Sequence, residues 1–252
     1  MMDETLQNAL LDRLIAFADD ELILAHRNSE WTGHAPILEE DIALANLAQD
    51  ELGHATTVYR LVEEITGQSP DQLAMFRDAP DFRNVQLVEL PKGDWAFTML
   101  RQFLFDAYEH VLYEALADSK YQPLADVVAK FRGEEMYHLR HSHVWVERMG
   151  LGTAESHSRM QNALNASWTF TAQLFQRMEG DFYLIDAGYF PNVADLQESW
   201  SAIVRPHLTA CELTVPESST MLLAGRDQHT PYLEELLADM QQVARFDPEA
   251  EW

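Results

Sequence analysis

Apolar residues recur at three- and four-residue steps from Leu6 to about Arg27, the spacing that turns one face of a helix toward a core. The same period predicts helices from about Leu38 to Thr66, about Asp94 to Ser119 and about Pro123 to Met149. Further helical stretches are expected at Ala154 to Met178 and Pro231 to Phe246. Strand-like alternation is scarce, and Asn84 to Leu90 is its one short candidate. The stretch from Gly180 to Gly225 is interrupted by Gly188, Pro191, Pro206 and Pro216. It reads as irregular structure packed on the helices, not as a second domain.

The breaks between helices set the connectivity. Gly33-His34-Ala35-Pro36 and Lys120-Tyr121-Gln122-Pro123 are short, so each joins an antiparallel helical hairpin. The connection from Gly67 to Gly93, with Pro70, Pro80 and Pro91, is long enough to run back along a bundle. Two hairpins joined by one long crossover is the ferritin-like arrangement. The expected fold is therefore all-α: a ferritin-like four-helix bundle over about residues 5–149, carrying a C-terminal helical extension over about 150–252, in one domain.

Two Glu-x-x-His motifs change the picture from fold to chemistry: Glu51-Leu52-Gly53-His54 and Glu135-Met136-Tyr137-His138. Residues three apart share a helix face, so each motif offers a carboxylate and an imidazole together. Both sit on faces expected to be buried. Leu44, Leu47, Glu51, His54, Val58, Leu61 and Ile65 form one stripe; Leu124, Val128, Phe131, Glu135, His138 and Trp145 form the other. Acids at core positions break the apolar pattern, and such breaks mark function.

The hairpins then supply two more acids. Glu21 lies on the stripe Leu10, Leu14, Phe17, Glu21, Leu24, as far before Pro36 as Glu51 lies after it. Glu109 and Glu135 are symmetric about Gln122. At 1.5 Å rise per residue, all four glutamates lie roughly 20 Å from their turns. One Glu from each of two helices plus one Glu-x-x-His from each of the other two is the ligand pattern of di-iron and di-manganese carboxylate bundles. The expected metal ligands are Glu21, Glu51, His54, Glu109, Glu135 and His138. Two divalent ions would neutralise the four buried glutamates. Carboxylate and imidazole donors suit iron, and manganese or zinc can take the same place.

Acids near the ligand histidines are candidates to hold them in place. Asp50 and Glu134 each lie four residues before a ligand histidine, and Asp106 lies one turn before Glu109. Asp106 is the favoured member. His34, His141, His143, His207 and His229 lack matching partners and are not expected to be ligands. Tyr137 and Trp145 read as core residues rather than redox relays. The aromatic cluster from Trp168 to Phe175 reads as packing against the bundle or another protein chain.

Composition narrows the partners. The chain carries a formal charge of −25 and one cysteine, Cys211, which has no internal partner for a disulfide. So acidic a surface disfavours nucleic acid and anionic membranes and fits a solvated surface or a basic partner. Apolar runs are too short for a membrane span, and the N-terminus lacks the basic start and apolar stretch of a signal peptide. The lone cysteine and the missing leader together suggest a cytoplasmic protein.

Three segments carry a resemblance: Glu30-Trp31-Thr32-Gly33-His34-Ala35-Pro36, Ala43-Leu44-Ala45-Asn46 and Tyr137-His138-Leu139-Arg140. They resemble the phenylacetate catabolic family of bacterial multicomponent monooxygenases, and within it the PaaC-type subunits of ring-1,2-phenylacetyl-CoA epoxidase. The chain length and the Leu236–Gln241 region fit as well. The resemblance implies a ferritin-like fold and a heteromeric complex in which a PaaA-type sister subunit holds the catalytic di-iron site. Electrons would come from a separate flavin/iron-sulfur reductase, and the product would be a ring-1,2-epoxide. PaaC-type subunits often have a degraded ligand set, whereas all six positions are filled here. The sequence therefore leaves three readings: a structural partner in the complex with a metal-competent site, a di-iron monooxygenase or oxidase in its own right, or a ferritin-like iron store. In the second reading Glu51 and Glu135 bridge, Glu21 and Glu109 are terminal, and each histidine binds one iron. The long tail and the Trp31 turn speak against cage assembly and so against the third.

Overall fold

The computed structural model describes residues 3–217, 224–248 and 250, so part of the Gly180–Gly225 stretch lies outside it. The described residues contain eleven α-helices and no strand. They are α1 (Glu4–Ser29), α2 (Leu38–Thr66), α3 (Pro70–Met75), α4 (Gln86–Glu89), α5 (Trp95–Leu116), α6 (Gln122–Gly150), α7 (Ala154–Ser167), α8 (Asp181–Ala187), α9 (Leu196–Ala210), α10 (Pro231–Met240) and α11 (Gln242–Phe246). The chain is all-α and of the ferritin-like class, as its hydrophobic pattern predicts.

It divides into two compact units. One comprises Met1–Ala9 and Lys92–Leu223; the other comprises Leu10–Pro91 and Ala224–Trp252.

In the second of these, α1 and α2 form an antiparallel hairpin. α2 opens with Glu39, Glu40 and Asp41, whose charge complements the helix dipole. It ends at Gly67, whose φ of 78° closes the helix with its N–H on Glu63 O. Three cross-helix contacts fix the register: Asp19 with Tyr59, Glu21 with His54 and Asn28 with Glu51. Their mirror points fall at 37.5 to 39.5, after the Pro36 expected from the turn. The turn accounts for the shift, because it climbs beside α2 rather than reversing at once. The Gly33 N–H donates to both Asp41 oxygens, at 2.9 and 2.8 Å. The first turns of α2 consequently run past the end of α1, and Leu38 and Ile42 on them are exposed.

Three buried acids fasten the connecting segments: Asp19 and Asp20 hold them to α1, and Glu89 of α4 gathers Asn84, His229 and Thr230. Tyr59 and Arg77 both donate to Asp19, and the Arg83 N–H does so at 2.7 Å. Asp20 accepts from the Val85 N–H at 2.7 Å and from Arg226 at 2.8 Å. Glu89 accepts from Asn84 and from the Thr230 N–H and hydroxyl, and lies against His229. The segment around Asn84–Leu90 is helical at Gln86–Glu89, not a strand. Its polar residues Asn84, Gln86 and Glu89 are buried along with Val85, Leu87 and Val88, so the alternation does not separate an exposed from a buried face.

In the other unit, α5 and α6 form the second antiparallel hairpin. Asp94 caps α5 by accepting from the Phe97 N–H at 3.0 Å, and Pro123 stands in the first turn of α6. Contacts between Tyr113 and Phe131, Glu114 and Arg132, and Ser142 and Asp106 mirror about residues 122 to 124, as the turn predicts. α5 is buried almost all round. One side meets α6, and α9 covers another, with Trp200 Nε1 donating to Leu104 O at 3.0 Å. The Gly180–Gly225 stretch was expected to be irregular, yet it holds α8 and the 15-residue α9. Pro206 lies inside α9 and signals a break in the sequence. Burial of Trp200, Val204, His207 and Leu208 on one face outweighs that local cost. The Trp168–Phe175 cluster is a 3₁₀ segment packed within this unit, with Trp168 and Phe175 against Trp200 at 5.6 and 5.3 Å.

Candidate metal centre

Every stripe that carries a candidate ligand is buried where the ligand sits. On α1, Leu10, Leu14, Phe17, Glu21 and Leu24 are all buried, and Glu21 is fully so. On α2, Glu51 and His54 lie among Leu44, Leu47, Val58 and Leu61. On α5, Gln102, Asp106, Glu109, Leu112 and Leu116 form the inward face. On α6, Leu124, Val128, Phe131, Glu135 and His138 do the same.

In the α1–α2 hairpin, His54 Nδ1 lies 3.4 Å from Glu21 Oε2. The Asn28 amide donates to both oxygens of Glu51, at 3.0 and 2.9 Å. The hairpin thus holds two buried pairs, Glu21 with His54 and Glu51 with Asn28. Asn28 lies seven residues after Glu21, two turns along the same face, and that spacing was a signal for it. Asp19 and Asp20, beside Glu21 in sequence, are buried too but serve the fold. Burial pushes the Asp20 carboxyl up to about 6, against the pull of Arg226.

In the α5–α6 hairpin, Asp106, Glu109 and Glu135 each offer a carboxylate oxygen within 4.8 Å of the other two. His138 Nδ1 lies 3.5 Å from Glu135 Oε2. Tyr113 donates to Glu109 Oε1 at 2.9 Å. Asp106, expected to support a ligand histidine, stands with Glu109 and Glu135. It is held from both sides: Gln102 Nε2 donates to one oxygen and Ser142 Oγ to the other, each at 2.6 Å. Tyr113 lies one helical turn after Glu109 and was legible from that spacing alone.

The donor set fits a divalent metal. Both oxygens of Glu135 are buried and accept no hydrogen bond among the described residues. A buried carboxylate left in that state is costly, and a cation is the usual remedy. Three carboxylates within 4.8 Å repel one another, which a metal ion reverses into attraction. Carboxylate and imidazole donors without sulfur select hard or borderline ions such as iron, manganese and zinc.

The other residues considered fall elsewhere. Glu134 is exposed and Asp50 half-buried. Tyr137, expected in the core, is half exposed and stacks on His141 at 6.1 Å. It follows Met136 on the outer side of α6, a face that its aromatic character did not reveal. Trp145 meets Trp95 edge-on at 5.4 Å. His143 and His207 stack at 3.3 Å beside the buried Cys211. No helix among the described residues is long and apolar enough to cross a membrane.

Comparison with known proteins adds an independent line. Residues 1–252 match the family described as phenylacetic acid catabolic protein. The chain is 38% identical over 247 residues to the C-type subunit of 1,2-phenylacetyl-CoA epoxidase from Escherichia coli (strain K12), covering 97% of this chain and all of that relative. It is 23% identical over 174 residues to the A-type subunit of the same Escherichia coli enzyme, covering 69% of this chain and 56% of that relative.

Proposed function

Because the chain belongs to the phenylacetic acid catabolic protein family, we propose that it is the C-type subunit of a multicomponent phenylacetyl-CoA ring-1,2-epoxidase of phenylacetate degradation. The observation that carries this reading is the end-to-end similarity to the Escherichia coli C-type subunit. Its partner would be a chain resembling the A-type subunit, and a separate reductase component would supply electrons. The weaker similarity to the A-type subunit makes the two kinds of chain relatives of each other, consistent with a pair built on one fold.

The same reading assigns the buried acids and histidines to metal. Glu21, Glu51 and His54 supply donors from the α1–α2 hairpin, and Glu109, Glu135 and His138 supply them from the α5–α6 hairpin, with Asp106 beside Glu109 and Glu135. The two sets are the six residues that the sequence pattern offers for a two-metal carboxylate centre, with iron as the proposed metal. Asn28 holds Glu51 and Tyr113 holds Glu109, fixing the direction of each carboxylate. Gln102 and Ser142 hold Asp106. When bound, iron supplies Lewis acidity and electrons for reaction with dioxygen. The apolar residues around the donors exclude water from them.

A second reading, that this chain activates oxygen itself, is favoured by one observation: no ligand position is vacated, and Glu135 keeps both oxygens available. Two measurements separate the readings. Co-purification of this chain with an A-type subunit, and epoxidation only by the pair, supports the first. Reduced, iron-loaded chain that consumes oxygen on its own supports the second. A monodisperse chain with no affinity for an A-type subunit would overturn the partner assignment.

A further inference from the structure

A cavity of about 230 Å³ opens between α5 and α6 beside Glu135. Glu135 is only 1% exposed yet belongs to its lining, and neither of its oxygens accepts a hydrogen bond among the described residues. Tyr113, which holds Glu109, lines it as well. Glu114 and Arg132 also line it and pair with each other from the two helices, with side chains 52% and 44% exposed. Gly133 stands beside them in mid-helix, and a Cβ there would meet nothing within 4 Å. Glycine weakens a helix interior, and no neighbour requires one at this position.

We propose that this cavity is the port through which divalent cations reach Glu135 and Glu109, with the Glu114–Arg132 pair as its movable cover. The inference rests on the metal reading of the site given above. An ion cannot cross a helical core unaided, because shedding its hydration in an apolar medium is prohibitive. At about 30 Å³ per water molecule, the cavity holds roughly seven to eight waters, enough for an ion with a six-water shell. A carboxylate stands at each end, Glu114 near the surface and Glu135 inside. An ion pair this exposed is weakly held, so Arg132 can swing into solvent and leave Glu114 to draw the cation in. Gly133 adds no side chain of its own to the mouth, where His110 and Met136 complete the lining.

The test uses the full chain, stripped of metal by chelation, with cobalt(II) as the probe and visible absorbance as the readout. Gly133→Leu sets a side chain over the mouth without a clash at Cβ, and leucine favours the helix. Equilibrium titration should give the same stoichiometry and affinity as the unaltered chain. Stopped-flow uptake, and release to excess chelator, should both slow by roughly tenfold or more, since a blocked path delays both directions alike. Glu114→Gln should slow uptake by on the order of tenfold through loss of steering. Uptake by Gly133→Leu at the unaltered rate overturns the port. So does weaker affinity with faster release, which would mark a distorted ligand instead of a blocked path. If the unaltered chain takes up no cobalt at equilibrium, the metal reading itself fails and the port falls with it.

Discussion

Replacing Glu135 by glutamine probes the conflict between stability and metal binding in the α5–α6 hairpin. Asp106, Glu109 and Glu135 present oxygens within 4.8 Å of one another. At an effective dielectric constant near 20, each ionised pair at that distance repels by about 3.5 kcal/mol. Glutamine keeps the shape of glutamate and removes two of the three pairs. Its amide can also donate to the carboxylates that remain. Side-chain relaxation takes up part of the strain, so the metal-free variant should gain about 2–4 kcal/mol rather than the full sum. For a chain of this length that is a rise in Tm of about 5–15 °C. The metal-loaded protein should respond oppositely. An ion at one hundred times its Kd stabilises by about 2.7 kcal/mol, and the variant should lose most of that increment. Differential scanning calorimetry of both proteins, with and without added iron(II) or cobalt(II) under argon, reads both effects. A variant that is less stable without metal, yet keeps the full metal-dependent rise, would refute the reasoning.

Three further outcomes follow from the same contacts. Asn28→Leu removes the amide that holds both Glu51 oxygens, so metal affinity should fall about 10- to 100-fold in equilibrium titration; unchanged affinity would count against Asn28 as a positioning residue. Burial raises Asp20 to about 6 from 3.8, so its contribution favours the fold below pH 4 and is lost as pH rises through 6. The loss amounts to about 3 kcal/mol. Asp20→Asn should flatten that part of the pH dependence in urea titrations at pH 4.5, 5.5 and 7, and parallel profiles would contradict it. Burial, with Glu147 adding to it, pushes the Cys211 thiol up to about 11. Native chain should therefore resist iodoacetamide at pH 8, where only about one thiol in a thousand is ionised, while chain unfolded in urea reacts readily; equal rates would contradict the assignment.

The two hairpins were legible because their apolar stripes run for many turns and the acids interrupt them at matched places. Glu21, Glu51, His54, Glu109, Glu135 and His138 stand out for that reason, and all six are buried. What stayed hidden depends on the third dimension. The α1–α2 register is shifted because the Gly33 turn climbs beside Asp41, which periodicity does not encode. Asp19 and Asp20 look like further ligands in the string Asp19-Asp20-Glu21, and only their contacts with Arg77, Arg83, Val85 and Arg226 show them to be fasteners. Those partners lie 58 to 206 residues away. That Asp106 stands with two glutamates, held by Gln102 and Ser142, depends on partners 4 and 36 residues away that no single-helix pattern encodes. α9 is not legible in the sequence, because Pro206 masks a helix that tertiary packing sustains.

The central proposal is that Glu21, Glu51, His54, Glu109, Glu135 and His138 hold metal. Metal analysis of the purified, iron-loaded chain beside a Glu51→Ala, His54→Ala variant tests it most directly. The account predicts two equivalents in the unaltered chain and a clear loss in the variant, with far-ultraviolet circular dichroism unchanged. Equal metal content in the two proteins would contradict it.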